Sequence, residues 1–105
     1  MIDSNKITEI VNRIQSNFNP DSIILFGSYA DGTANNNSDL DLLIISETDQ
    51  PRHRRSFEIY KSLIGSMIPI DILVYTREEF DEEKNQEYSF LNYVLKNSKV
   101  LYERN

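Results

Sequence analysis

The sequence predicts a small α+β fold (two-layer α/β), in which a mixed sheet of short strands packs against amphipathic helices. Three short apolar runs alternate with segments whose apolar residues recur at helical spacing. The chain has 105 residues, enough for one domain with one modest core. It has no cysteine and one histidine, which excludes disulfides, thiolate zinc sites and multi-histidine metal sites.

The first half predicts a helix and two strands joined by a polar turn. A helix of about twelve residues starts at a Ser4 N-cap and ends before Pro20, with apolar residues at helical spacing: Ile7, Ile10, Val11, Ile14 and Phe18. Residues Ser22–Phe26 form a continuous apolar run typical of a buried strand. Residues 27–38 are polar and turn-forming, and Leu40–Ile45 reads as the second strand.

The second half predicts two or more helices and a third strand. A helix opens at Pro51 and stops near Gly65, with an apolar stripe of Phe57, Tyr60, Leu63 and Ile64. The strand Ile70–Tyr75 follows Pro69.

The last thirty residues predict two short helices and an edge strand. Thr76 and Glu79 have the spacing of a capping box that opens a short helix. A further helix is indicated by Phe90, Leu91, Val94 and Leu95, and residues 100–102 suggest a short edge strand.

The charge balance is acidic and uneven. Eleven basic and seventeen acidic residues give a net charge of −6, which disfavours binding to long DNA or RNA. Six acids and one base between residues 78 and 87 form an acidic run, which is either a solvated face or a docking surface for a basic partner. The basic cluster 52–55 is either a solvated face or a contact with a partner protein or RNA.

Neither a membrane span nor a secretory signal is indicated. No segment approaches the ~18 apolar residues that a span requires, and residues 1–6 lack the apolar core of a signal peptide. The sequence therefore predicts a cytoplasmic protein.

Two of the three glycines bracket one loop. Gly27 follows the first predicted strand and precedes Ser28, and Gly32 closes the loop. A glycine at the end of a strand lets the backbone approach a ligand closely, and the N–H groups of the turn can face an anion. A Gly-Ser pair is by itself also compatible with an ordinary turn.

Three aspartates are candidates for a metal site. Asp39 and Asp41 are two residues apart at the start of a strand, so their side chains share a face. Asp71 lies in an otherwise apolar run, where a carboxylate needs a partner or a metal. Neighbouring strands lie ~4.8 Å apart, so Asp71 beside this pair would complete a cluster that suits two Mg²⁺ ions. A pairing of Asp71 with Arg13 is the structural alternative.

Together these motifs resemble the minimal nucleotidyltransferases of the polymerase-beta superfamily. The resemblance is carried by the run Phe26-Gly27-Ser28-Tyr29-Ala30-Asp31-Gly32, by Ser38-Asp39-Leu40-Asp41-Leu42 and by Asp71 in a later strand. Its order and spacing match the family over essentially the whole chain, 1–105. The resemblance implies a single domain with the nucleotidyltransferase fold.

The resemblance also implies roles for these residues. Gly27 and Ser28 would hold the β- and γ-phosphates of ATP, and Asp39 and Asp41 would coordinate two Mg²⁺ ions. Asp71 would ligate one metal and help to deprotonate the acceptor hydroxyl, which attacks the α-phosphorus. Tyr29 is the tyrosine expected to stack on the base, because it adjoins the phosphate turn.

One position departs from the family. Many relatives carry arginine or lysine where this chain has Asp31, and residues 27–50 contain no basic residue. An acid there repels a triphosphate, although Asp31 and Gly32 also form a good turn pair.

Free-standing domains of this size resemble the antitoxins encoded beside HEPN-domain ribonuclease toxins. That resemblance implies binding to the toxin and transfer of AMP to a toxin tyrosine, with the acceptor held by another protein or by a second copy of the chain. The main alternative is a binding module that neutralises its partner by occlusion, and a third is transfer to a small molecule or an RNA end.

Overall fold

The computed structural model describes residues 1–105 as six helices and four strands. In chain order these are α1 Ser4–Phe18, β1 Ser22–Phe26, α2 Ser28–Asp31, β2 Leu40–Ile45, α3 Arg52–Arg55, α4 Phe57–Ser62, β3 Ile70–Tyr75, α5 Arg77–Glu83, α6 Phe90–Leu95 and β4 Lys99–Glu103. The first three strands have the predicted bounds, and β4 is one residue longer at each end than predicted. The capping box that opens α5 is also confirmed.

The four strands form one mixed sheet in the order β3-β2-β1-β4. Strand β1 is antiparallel to β2 and β4, whereas β2 and β3 are parallel. Phe26, the last residue of β1, pairs with Asp41, and Asp41 pairs with Asp71. The register therefore brings the end of β1 and the starts of β2 and β3 to one edge of the sheet.

The main core lies between the sheet and the helices α1 and α4. It contains residues of α1, α2, α4 and three strands, all buried: Ile10, Val11, Ile14, Ile23, Leu25, Ala30, Leu40, Leu42, Ile44, Ile59, Leu63 and Ile72. Alternate strand residues point to the opposite face, where Phe80 of α5 and Leu91 of α6 complete a smaller cluster. The two-layer core is thus supplemented by a cover of short helices on the second face.

Two local expectations are corrected. The N-cap of α1 is Asp3 rather than Ser4, since the Asp3 side chain accepts a hydrogen bond from the Lys6 N–H. The helix expected after Pro51 is broken at Ser56 into α3 and α4.

The break changes which side of the second helix is buried. Ile59 and Leu63 are buried, whereas Phe57 is 61% and Ile64 78% exposed. The predicted stripe is therefore wrong in part, because packing against α1 selects the Ile59–Leu63 pair rather than the face with most apolar residues.

Side chains satisfy part of the outer edge of β3. The Tyr60 hydroxyl accepts a hydrogen bond from the Ile72 N–H at 2.7 Å, and Arg55 Nη1 donates to the Val74 carbonyl at 3.3 Å. These contacts occupy backbone groups that an unprotected edge strand would offer to another chain.

No helix of the protein has both the length and the apolar character needed to cross a membrane.

Candidate active site at the sheet edge

The glycine turn after β1 has a backbone that requires glycine. Gly27 has φ 75° and ψ −156°, a region essentially limited to glycine. A Cβ at this position would lie 2.1 Å from Asp41 Oδ2. The turn and the Asp41 carboxylate are therefore in direct contact, which the sequence spacing did not reveal.

The turn continues directly into α2, a helix that was not predicted. The N–H groups of Ala30 and Asp31 donate to the Gly27 carbonyl at 3.0 and 3.1 Å. The N–H groups of Ser28 and Tyr29 come before these two donors. As at the start of any helix, they have no carbonyl partner within the helix. Such amides are suited to hydrogen-bond an anion.

The candidate carboxylates lie at the starts of the two parallel strands. Asp41 is half-buried in β2, and Asp71 of β3 is its register partner. Asp39 lies exposed two residues before Asp41. Burial raises the pKa of the Asp41 carboxyl, and repulsion from Asp71 and then from Asp39 raises it further. The three acids therefore form an electrostatically coupled group.

This donor set fits a magnesium ion in its chemistry. Mg²⁺ prefers carboxylate and other oxygen ligands, and a cation beside Asp41 would offset the repulsion that raises its pKa. However, no three acidic or histidine side chains are close enough together to hold a metal ion. The two-magnesium site stays a prediction, and it requires the three carboxylates to lie closer together than they do here.

Asp71 is not buried, contrary to the prediction from its apolar run. Burial was expected to force the carboxylate to find a partner, yet Asp71 is exposed because β3 is an edge strand. The alternative pairing with Arg13 is also wrong, since Arg13 pairs with Glu9 within α1 at 3.7 Å. Asp71 reaches the site through its register with Asp41.

Tyr29 is the predicted site residue that the structure does not bring to the ligand side of the turn. Its side chain packs against the main core, and its hydroxyl accepts a hydrogen bond from the Ile2 N–H at 2.9 Å. The expectation that Tyr29 stacks on a base is therefore wrong in this structure. The tyrosine that lines the adjoining cleft is Tyr93, which is 75% exposed.

That cleft is formed by the glycine turn and α6. It is an open cleft of about 340 Å³, lined by Phe26, Gly27, Ser28, Asp31, Thr33, Tyr93, Val94, Lys96 and Asn97. The sequence contains no signal that brings residues 93–97 to this place, because their contact with the turn is purely tertiary. A larger cavity, about 500 Å³, lies beside α3 and α4 and shares no residue with the site.

Asp31 has the turn role that its sequence context suggested. Its Oδ1 accepts hydrogen bonds from the Thr33 hydroxyl at 2.6 Å and the Thr33 N–H at 3.0 Å. These bonds, the hydroxyl's first, lower the pKa of the Asp31 carboxyl. The side chain is therefore fixed and negatively charged where it lines the cleft.

Two arginines of the basic cluster, Arg52 and Arg55, pair with two acids of the acidic run, Glu79 and Glu83. Arg55 donates to both carboxylate oxygens of Glu79, at 2.6 and 3.1 Å, and its side chain is only 9% exposed. Arg52 binds Glu83 at 3.0 Å and lies 3.5 Å from Glu79. The expectation of a solvated face is thus wrong for Arg55, whereas the Arg52 side chain is 52% exposed and Arg54 is exposed with no ionic partner.

Known proteins resemble this chain in family pattern, in sequence and in fold. The family described as "Polymerase beta, Nucleotidyltransferase" matches residues 5–105. The chain is 33% identical over 109 residues to a "putative protein adenylyltransferase" of Methanocaldococcus jannaschii, covering 97% of this chain and 100% of the relative.

Two solved structures share the fold, each with a TM-score of 0.66. One is described as a "putative nucleotidyltransferase" from Sulfolobus solfataricus, with 22% identity over 95% of this chain and 79% of that one. The other is a chain of a toxin–antitoxin with AMP-PNP, with 21% identity over 96% of this chain and 75% of that one.

Proposed function

We propose that this chain, which belongs to the polymerase beta family of nucleotidyltransferases, transfers AMP from ATP to a hydroxyl group of a partner protein. The observation that carries the proposal is the contact of Asp41 with Gly27, combined with the register of Asp41 and Asp71. It supports a site in which a phosphate turn adjoins the carboxylates.

In this proposal the turn binds the substrate. The N–H groups of the Gly27–Ser28 turn and the Ser28 hydroxyl would bind the β- and γ-phosphates of ATP. Asp39, Asp41 and Asp71 would hold Mg²⁺, for which the expected number is two ions. When bound, Mg²⁺ would neutralise charge on the triphosphate and on its leaving group.

Asp71, at the start of β3, would accept the proton of the acceptor hydroxyl. The acceptor oxygen forms a bond to the α-phosphorus, while the bond from that phosphorus to the bridging oxygen of the β-phosphate breaks and pyrophosphate leaves. Asp71 is exposed, so an acceptor can reach its carboxylate, which would take the hydroxyl proton. The protein's contribution is chiefly positioning and electrostatic stabilisation.

The proposed acceptor is a tyrosine of a HEPN-type toxin, for which this chain would be the antitoxin in the cytoplasm. Support comes from the resemblance to such antitoxins and from the description of the archaeal relative as a protein adenylyltransferase. The shared fold with a chain of a toxin–antitoxin with AMP-PNP is consistent with it.

A second candidate function is neutralisation of the partner by occlusion, without transfer. The observation that favours it is the Asp31 carboxylate, which lines the cleft and repels a triphosphate. In that case the double variant Asp39→Asn, Asp41→Asn should neutralise the partner as well as the wild type does.

The decisive experiment is transfer of label from ATP to protein in a lysate of the source cells with Mg²⁺. ATP labelled at the α-phosphate should label a protein band, whereas ATP labelled at the γ-phosphate should not. The band should disappear with Asp39→Asn, Asp41→Asn and persist with Asp49→Asn, an exposed carboxylate outside the site. Partner capture without carboxylate-dependent label would overturn the transferase proposal in favour of occlusion.

A further inference from the structure

Lys96 is the one basic residue that lines the cleft between the glycine turn and α6. It lies at the C-terminal cap of α6, and the turn supplies the facing residues Gly27, Ser28 and Asp31. None of the other ten basic residues of the chain lines this cleft. Residues 27–50 contain no basic residue, but the fold places Lys96 in the cleft beside the turn.

Lys96 is also free of ionic partners within the chain. Eight of the eleven basic residues lie within 4.0 Å of a carboxylate oxygen, namely Lys6, Arg13, Arg52, Arg55, Lys61, Arg77, Lys84 and Arg104. Only Arg54, Lys96 and Lys99 do not. Of these three, Lys96 alone lines the cleft. The unpaired ammonium of Lys96 is thus available to an anion.

The glycine turn itself supplies no positive charge for an anion, and the Lys96 ammonium would provide one. The turn offers neutral N–H groups and the Ser28 hydroxyl, and its one ionised side chain is Asp31, which Thr33 holds in place. A triphosphate on this turn would meet a negative charge with no positive charge from neighbouring sequence. Lys96, across the same cleft, supplies the opposite sign.

We infer that Lys96 of α6 binds the β- and γ-phosphates of ATP and offsets the repulsion from Asp31. The inference rests on the proposed function, because it takes the Gly27–Ser28 turn to be the phosphate site. It assigns to α6 a nucleotide-binding role that neither sequence motif carries.

The inference predicts a selective loss of affinity for the triphosphate. We would titrate the wild type and the Lys96→Gln variant with ATP and with AMP, each with Mg²⁺, by isothermal calorimetry. Lys96→Gln should weaken ATP binding about tenfold, as expected for loss of one charged hydrogen bond, and change AMP binding less than about twofold. Lys96→Arg should retain ATP binding, and the matched control Lys99→Gln should bind both nucleotides as the wild type does.

The outcomes separate this inference from the proposed function. If the wild type binds ATP and Lys96→Gln binds it equally well, the inference is overturned and the proposed function stands. Equal weakening of ATP and AMP, or a lower thermal midpoint of the nucleotide-free variant, would also overturn it, because either indicates a general structural effect. If the wild type binds no ATP, both the proposed function and the inference fail.

Discussion

Two groups of charged side chains in this protein differ in whether their charges are balanced. The candidate site carboxylates are Asp39, Asp41 and Asp71, which all carry negative charge and lie at the starts of β2 and β3. Burial, together with repulsion from Asp71 and Asp39, raises the pKa of Asp41. No basic side chain forms an ion pair with any of them.

The second group is the ion network of Arg52, Arg55, Glu79 and Glu83 between α3 and α5. Here opposite charges are paired at 2.6 to 3.5 Å. The hydrogen bond from Arg55 is the main reason that the pKa of Glu79 is lowered to about 2. Pairing therefore stabilises the charged form of Glu79, whereas the charged form of Asp41 is destabilised.

This difference indicates that the paired charges stabilise the fold, whereas the unpaired like charges are expected to bind a cation. A network whose charges satisfy one another contributes to the free energy of unfolding. A group of like charges reduces that free energy and is expected where a cation binds.

Asp41→Asn should abolish function while making the protein more stable. We expect a loss of transfer activity of about 10²-fold or more, because electrostatic contacts to a phosphoryl transition state contribute on this scale. The raised pKa of Asp41 means that its stabilising contribution is present at low pH and is lost as pH rises through that pKa, so at neutral pH the charge destabilises the fold. Label transfer and calorimetric unfolding at pH 7 check both effects.

Asp49→Asn is the control for this prediction, since Asp49 is exposed and outside the site. A variant Asp41→Asn that is active, or that unfolds at a lower temperature than the wild type, would contradict the assignment of Asp41 to the site carboxylates.

Gly27→Ala should reduce both stability and activity. The substitution adds a Cβ that would overlap Asp41 Oδ2 and forces alanine into a positive φ, which together should cost about 2–3 kcal/mol. Gly65→Ala is the matched control, because Gly65 also has a positive φ of 95° but has no atom within 4 Å of the added Cβ. Denaturant unfolding of both variants isolates the contact with Asp41, and equal destabilisation would contradict it.

Arg55→Ala should destabilise the fold by about 2–3 kcal/mol, because it breaks hydrogen bonds of a mostly buried guanidinium. The activity of the folded protein should be unchanged. Arg54→Ala, in the neighbouring exposed and unpaired side chain, should change stability by less than about 0.5 kcal/mol. Urea unfolding compares the two, and equal effects would mean that the network does not support the fold.

Because of Glu79, the free energy of unfolding should fall as the pH is lowered. Because its pKa in the folded protein is about 2, against 4.5 ordinarily, its stabilising contribution is present above about pH 4.5 and is lost as pH falls towards 2. Glu79→Gln should therefore lose less stability than the wild type between pH 5 and pH 3. Urea unfolding over this range measures the slopes, with exposed Glu87→Gln as a control expected to follow the wild type.

The sequence identified the four strands, most of the helices and the motif residues because those depend on local pattern. The apolar run 22–26 and the Thr76–Glu79 capping box each involve residues within a few positions of one another. The Gly-Ser pair and the Asp39–Asp41 pair are likewise short-range. The buried face of α4 was mispredicted because the 57–64 segment is apolar on more than one side, and packing against α1 selected the face.

Local sequence pattern alone predicts a small mixed-sheet domain with a glycine turn and three candidate carboxylates. The tertiary structure decided which charges pair and which remain free. Arg55 meets Glu79 across 24 positions of sequence, Asp71 reaches Asp41 by strand register, and Lys96 reaches the turn from α6. A charge interacts with whatever lies within a few ångströms of it, and only the folded chain sets those neighbours.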